Sequence, residues 1–300
     1  MQILKGKVAV VTGASRSIGR GTALVLAEQG AIVYVTGRSV RGASTRPDLS
    51  GATIDDTAEM VTARGGIGIP IRCDHTRDSE VEAIFDRVGR DQGRLDILVN
   101  CTWGGNENTE KFEVPFWEQP LWRWDQMYST GVRAHYVAAR LAARIMLPKE
   151  KGLIINTTFW DRDKCLLPVP QDFGLTSISR LSYAMAHHLM KYNIAAISLS
   201  PGVPRNEGFI STEELLQEYQ IPPVVSSQNW PNDSFLWKTE STQYTGRAVI
   251  ALASDPKLME KSGRVLTVGD LASEYGFTDI DGRQLPPYQI DWTPSSWNKQ

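Results

Sequence analysis

The chain has 300 residues, 41% hydrophobic and 22% charged, a balance that excludes a disordered protein and suits one large α/β domain or two small ones. Its 32 basic and 34 acidic residues leave a formal net charge of −2, so no global field draws it to nucleic acid or anionic membrane. Three cysteines (Cys73, Cys101, Cys165) are too few for a disulfide framework and point to a reducing cytoplasm.

The opening MQILKGKVAVVTGAS leads almost at once into a strand, with no secretory signal pattern, and no apolar run reaches bilayer length. Short runs that read as buried parallel strands, apolar on both faces, follow at 8–11, 32–35, 67–72, 95–99, 153–155, 195–199 and 265–268. Helical periodicity lies between them at 18–29, 55–64, 79–92, 124–147, 172–191 and 241–253, with Gly30 placed to end the first helix. This alternation predicts a single α/β domain over 1–300: a Rossmann-type doubly wound parallel sheet with helices on both faces. Three stretches interrupt it. Residues 38–53 form a long basic loop. Residues 102–123 carry Trp103, Phe112, Phe116, Trp117 and Trp122, which suit either an apolar pocket with Phe159 and Trp160 or a mini-core or oligomer face. Residues 204–240 read as an insertion over the substrate, with Ser211 and Glu214 as a capping box, and residues 283–300 as an irregular tail.

The first strand runs into Thr12-Gly13-Ala14-Ser15-Arg16-Ser17-Ile18-Gly19 and then a helix. Glycines at such a turn let the backbone approach a pyrophosphate, and the helix N-terminus offers N–H groups to it. This turn resembles the TGxxxGxG motif of the short-chain dehydrogenase/reductase family, and Cys73-Asp74, Leu98-Val99-Asn100-Cys101-Thr102 and Ser200-Pro201-Gly202 fit the family's later landmarks. The resemblance runs from residue 6 to 282. The stretches from Asp270 to Gly276 and from Asp279 to Arg283, with Trp124-Asp125, Gly131 and His135-Tyr136, are similar to its dehydrogenase/reductase member 1 subgroup. It implies a nicotinamide dinucleotide held by Gly13, Ser15, Arg16, Ser17, Ile18, Gly19, Arg38, Asp74, Asn100, Pro201, Gly202 and Asn206. Ser17 stands where the family has glycine, and Asn206 where it often has threonine.

Charge argues the choice of cofactor. The second strand ends Val35-Thr36-Gly37-Arg38, without the acid that takes a ribose 2′-hydroxyl in NAD-binding relatives. A guanidinium suits a 2′-phosphate, so NADP(H) is expected over NAD(H), through Arg38, while Arg41 and Arg46 read as solvated loop charges.

The resemblance also implies an Asn-Ser-Tyr-Lys set, and here the pattern departs. Counting from Gly152 puts Phe159 at the serine position, Gln171 at the tyrosine and Leu175 at the lysine, and a register two residues later gives Phe173 and Ser177 and restores neither residue; Gly131 takes the asparagine position. No Tyr-x-x-x-Lys occurs in the chain, and the nearest is Tyr183-x-x-x-His187. An amide does not titrate, and leucine supplies no charge. Asp161 and Tyr128 are the first candidates as surrogates. Asp163, Lys164, Cys165, Asp172 and His135 are further neighbours with structural readings, Asp172 as a helix N-cap. No metal is assigned. The expected function is an NADP(H)-dependent oxidoreductase of unusual mechanism acting on a small molecule. The alternatives are a cofactor-binding pseudoenzyme or sensor, and a non-redox cyclase or isomerase. A homodimer or homotetramer is implied by the resemblance.

Overall fold

The computed structural model describes residues 2–45, 51–106, 114–160, 167–206 and 239–288. Among them lie nine strands: β1 Val8–Thr12, β2 Ile32–Gly37, β3 Ile67–Arg72, β4 Ile97–Asn100, β5 Gly152–Thr157, β6 Ile194–Ser200, β7 Pro204–Arg205, β8 Glu240–Ser241 and β9 Val265–Thr267. Seven make one parallel sheet in the order β3-β2-β1-β4-β5-β6-β9, and β7 pairs with β8 in a separate two-stranded sheet. The helices are α1 Ser17–Glu28, α2 Ile54–Ala63, α3 Asp78–Gln92, α4 Leu121–Gln126, α5 Ala134–Met146, α6 Val169–Leu189, α7 Thr242–Ser254 and α8 Val268–Tyr275.

Strand periodicity divides the core. Ala9, Val11, Val33, Val35, Val99 and Ile155 point to one face and pack with Leu24 and Leu26 of α1, Val61 of α2, Val249 and Leu252 of α7 and Leu271 of α8. Val8, Val10, Tyr34, Leu98 and Ile154 point to the other, against Ile84 and Val88 of α3, Ala138 and Met146 of α5 and Leu189 of α6. Both faces are therefore dry, which explains the unbroken apolar runs of β1, β4 and β6. The strand order reverses between β1 and β4, whose ends are in register at Thr12 and Asn100. Ligands of open α/β sheets bind in the crevice beyond such a reversal.

The structure corrects several expectations. β3 is an edge strand, and its Ile67 is 56% exposed, not buried on both faces. The helix expected over 124–147 is divided, with a π-helical stretch at Met127–Arg133 between α4 and α5. Helix α6 starts at Val169, with proline in its first turn, so Asp172 lies inside that turn and is not the N-cap. Residues 283–288 form no regular element. Ser211, Glu214 and most of the insertion at 204–240 lie outside the described residues, as do Phe112, Trp292 and Trp297.

Candidate active site

The end of β1 passes through Gly13 at φ +64°, and a Cβ there would lie 2.8 Å from the Cys101 carbonyl oxygen. A Cβ on Gly19 would lie 2.5 Å from the Gly13 carbonyl oxygen, so α1 starts tight beneath the turn. The Arg16 side chain at the N-cap of α1 makes no capping hydrogen bond, and the first turn carries no acid. Its N-terminal N–H groups thus suit an anion. Ser17 holds φ +51°, a left-handed conformation that glycine takes more easily. Ser15, Arg16, Ile18 and Ser17 are all half-buried around this turn. Arg20, which the sequence reading missed, fixes the turn to its neighbour: Nε donates to Thr57 Oγ1 at 2.9 Å, and Nη2 donates to the carbonyls of Ser15, Gly51 and Thr53. A lone arginine among buried residues of the first helix was the available signal.

Beyond β2 and β3, Arg38 is exposed and its charge acts on Asp74. Burial pushes the Asp74 carboxyl up, but hydrogen bonds from the Thr76 hydroxyl and N–H, with the charge of Arg38, outweigh it and leave it below its ordinary value. Arg41 is ion-paired with Asp56 and Glu59 of α2, each at 2.8 Å, and is directed to that helix. Arg46 lies outside the described residues. Asn100 is fully buried, donating to Asn156 Oδ1 at 2.9 Å and to the His135 carbonyl at 3.3 Å. The chain continues from Asn156 Nδ2 to Ser182 Oγ at 2.9 Å, so Asn100 ties β4 to β5 and α6. Burial drives the imidazoles of His75 and His135 down to about 4, and both are neutral near pH 7. Beyond β6, Pro201 is buried, and Gly202 and Asn206 are half-buried.

At the chemical end, Trp103 lies in a notch made by two glycines. A Cβ on Gly131 would sit 2.5 Å from Trp103 Cζ3, and one on Gly174 3.0 Å from Cη2. The indole therefore fills the room an asparagine at 131 would need. Gln171 stands one turn before Gly174, its Oε1 buried with no hydrogen-bond partner among the described residues. The Leu175 carbonyl accepts from Thr158 Oγ1 at 2.8 Å. Phe159 packs on Tyr288, ring centroids 6.0 Å apart. The Tyr128 ring stacks on Trp124 at 4.6 Å, and its hydroxyl lies 3.0 Å from Ser177 Oγ, on the flank of α6. Asp161, Asp163, Lys164 and Cys165 lie outside the described residues. The aromatic stretch separates into Trp103 at the notch and Phe116, Trp117 and Trp122, which are exposed.

The short chain dehydrogenase profile matches residues 7–159. Over 296 residues the chain is 36% identical to dehydrogenase/reductase SDR family member 1 of Mus musculus, covering 95% of this chain and 87% of that protein. The chain belongs to the short-chain dehydrogenase/reductase family. The human protein of the same name is also 36% identical, and 7alpha-hydroxysteroid dehydrogenase of Escherichia coli K12 is 26% identical, over 88% of this chain and 93% of that one. In fold, this short-chain dehydrogenase/reductase is similar to a short chain dehydrogenase from Mycobacterium thermoresistibile, with TM-score 0.76, 23% identity and 97% of both chains covered. The family is one of oxidoreductases with a nicotinamide dinucleotide cofactor. The close turn at Gly13 and Gly19 fits that group's pyrophosphate. No helix among the described residues is long and apolar enough to cross a membrane.

In this family member a carboxyl also adjoins Gly202, which sequence reasoning missed. Glu240 Oε2 accepts from the Gly202 N–H at 3.1 Å, while Oε1 is buried without a hydrogen-bond partner among the described residues. Burial, reinforced by the negative charge of Asp279, pushes this carboxyl up to about 8. The folded state therefore holds a proton that an unfolded glutamate releases near its ordinary value of 4.5. Glu240 contributes fully below that value, and its contribution is lost as pH rises through about 8. Glu240→Gln keeps an acceptor for Gly202 and removes the titration. We expect the variant to gain on the wild type between pH 5 and 8 by a few kcal/mol at most. Parallel urea-denaturation stabilities of the two proteins across that range contradict this.

Proposed function

We propose that the chain is an NADP(H)-dependent oxidoreductase that transfers hydride to a small organic acceptor needing little proton help, such as an iminium or a conjugated alkene. This reading is supported by the close turn at Gly13–Gly19 together with the absence of any Tyr-x-x-x-Lys from the chain, where family spacing counts to Gln171 and Leu175. A bound nicotinamide dinucleotide supplies the hydride. Arg38 beside Asp74 favours a 2′-phosphate. Gln171 orients the acceptor by hydrogen bonds and holds no exchangeable charge. Trp103, Phe159 and Leu175 shape a largely apolar wall. The reading includes a cytoplasmic homodimer or homotetramer, with helices α5 and α6 as the pairing faces.

The test pairs an NADPH fluorescence titration with absorbance-monitored NADPH consumption. A cyclic imine and a cyclic enone are expected to be reduced, and cyclohexanone to be reduced at least a hundredfold more slowly. Brisk reduction of cyclohexanone overturns the reading. The loss of the whole Asn-Ser-Tyr-Lys set favours a second reading, a cofactor-binding pseudoenzyme or sensor. Tight NADPH binding without consumption of it by any acceptor selects that one. Conversion of an acceptor without NADPH consumption selects a cyclase or isomerase.

A further inference from the structure

The described part of the C-terminal segment is tied down at three successive points. Tyr244 grips Leu285: its hydroxyl donates to the Leu285 carbonyl and accepts from the Leu285 N–H, both at 3.2 Å. Gln284 Nε2 donates to the Ala272 carbonyl of α8 at 2.7 Å. The peptide between Pro286 and Pro287 lies on Gly269, where a Cβ would come within 2.3 Å of the Pro287 nitrogen. Two consecutive prolines have little backbone freedom, so the next residue is delivered to a defined place. That residue is Tyr288. Its Cβ is 3.6 Å from where a Cβ on Gly202 would be, and its ring lies 6.0 Å from that of Phe159 at 54°. Tyr288 thus meets Phe159, two residues beyond β5, and Gly202, two residues beyond β6.

We propose that Tyr288 is a catalytic residue, a phenol carried by the C-terminal segment that donates a hydrogen bond and a proton to the acceptor's oxygen in place of the one missing from α6. This rests on the reductase reading above and narrows its acceptor to a conjugated enone, because an iminium has no oxygen to protonate and a plain ketone has no β-carbon to receive the hydride. Burial raises the Tyr288 hydroxyl above its ordinary value, and no charge contributes to the shift. It is therefore a neutral donor near pH 7, suited to reduction and unable to serve as the base that alcohol oxidation needs. As hydride reaches the β-carbon of an enone, a C–H bond forms there, the C=C electrons move, and the carbonyl oxygen takes the charge. The Tyr288 O–H bond breaks and its proton passes to that oxygen, giving an enol. The phenolate regains a proton from water, and the enol tautomerises to the saturated ketone.

Two readouts test this on the full-length protein. In protein labelled with 3-fluorotyrosine, the fluorine resonance absent from Tyr288→Phe is assigned to Tyr288. Saturation with NADP+ is expected to shift it; a stationary resonance overturns the placement. With a cyclic enone, Tyr288→Phe is expected to lose about a hundredfold or more in NADPH consumption, the usual range for a lost general acid, while its NADPH Kd stays within about twofold. The same change at the exposed Tyr183 is the control. Undiminished turnover in Tyr288→Phe overturns the proposal and leaves the reductase reading standing. A wild type that binds NADPH and reduces no acceptor overturns that reading, and the proton role with it.

Discussion

Arg38→Ala is expected to weaken NADPH binding about ten- to a hundredfold and to leave NADH binding nearly unchanged, the usual effect of one charge-assisted hydrogen-bonding partner. The argument is local. Arg38 follows β2 directly, at the point where an acidic residue would meet a ribose hydroxyl, and it is exposed beside Asp74. Arg38→Asp goes further: it adds a second negative charge next to Asp74, so NADPH is repelled and NADH becomes the preferred ligand. Arg41→Ala serves as the comparison, because that guanidinium is engaged by Asp56 and Glu59. Its loss should not alter the preference. Equal affinities of the wild type for the two coenzymes by fluorescence titration would remove the basis of this argument.

Gly131→Asn is expected to lower stability by about 1–3 kcal/mol, the typical effect of overpacking, and the melting temperature by several degrees. A side chain at 131 meets Trp103 Cζ3 at 2.5 Å, and the indole cannot swing toward α6 because Gly174 holds its other edge. An asparagine at 131 is therefore incompatible with the indole present here. The two positions should be coupled. Trp103→Ala alone leaves a cavity, whereas Trp103→Ala together with Gly131→Asn should recover part of the loss, giving a non-additive cycle. Strictly additive melting shifts would show that the notch is not the constraint.

The sheet was legible because six of its seven strands are buried and leave aliphatic runs, and these need no knowledge of their partners. The dinucleotide turn was legible for a similar reason: Gly13 and Gly19 act within one short segment. The assignment of Gly131, Phe159, Gln171 and Leu175 to the four catalytic positions rests on counting along the chain alone. What could not be read depends on contacts between distant segments. Trp103 belonged to an aromatic stretch whose members separate in space, and only its approach to Gly131 and Gly174 distinguishes it from the exposed Trp117. Arg41 reads as a solvated loop charge, yet two acids on α2 engage it. Glu240 and Tyr288 reach Gly202 from beyond the insertion and from the far end of the chain, where no periodicity signals the meeting.

The short ladder of β7 and β8 sets Pro204 beside Glu240 and Arg205 beside Ser241. Arg205 Nη1 donates to the Thr239 carbonyl at 2.7 Å, and its guanidinium lies 3.8 Å from both Asp279 and Asp281. The stretch between these strands thus departs and returns at a single fixed foot. Closing such an excursion depends only weakly on its length. A change in the length of the chain between Arg205 and Glu240 should therefore cost little stability so long as this foot is kept.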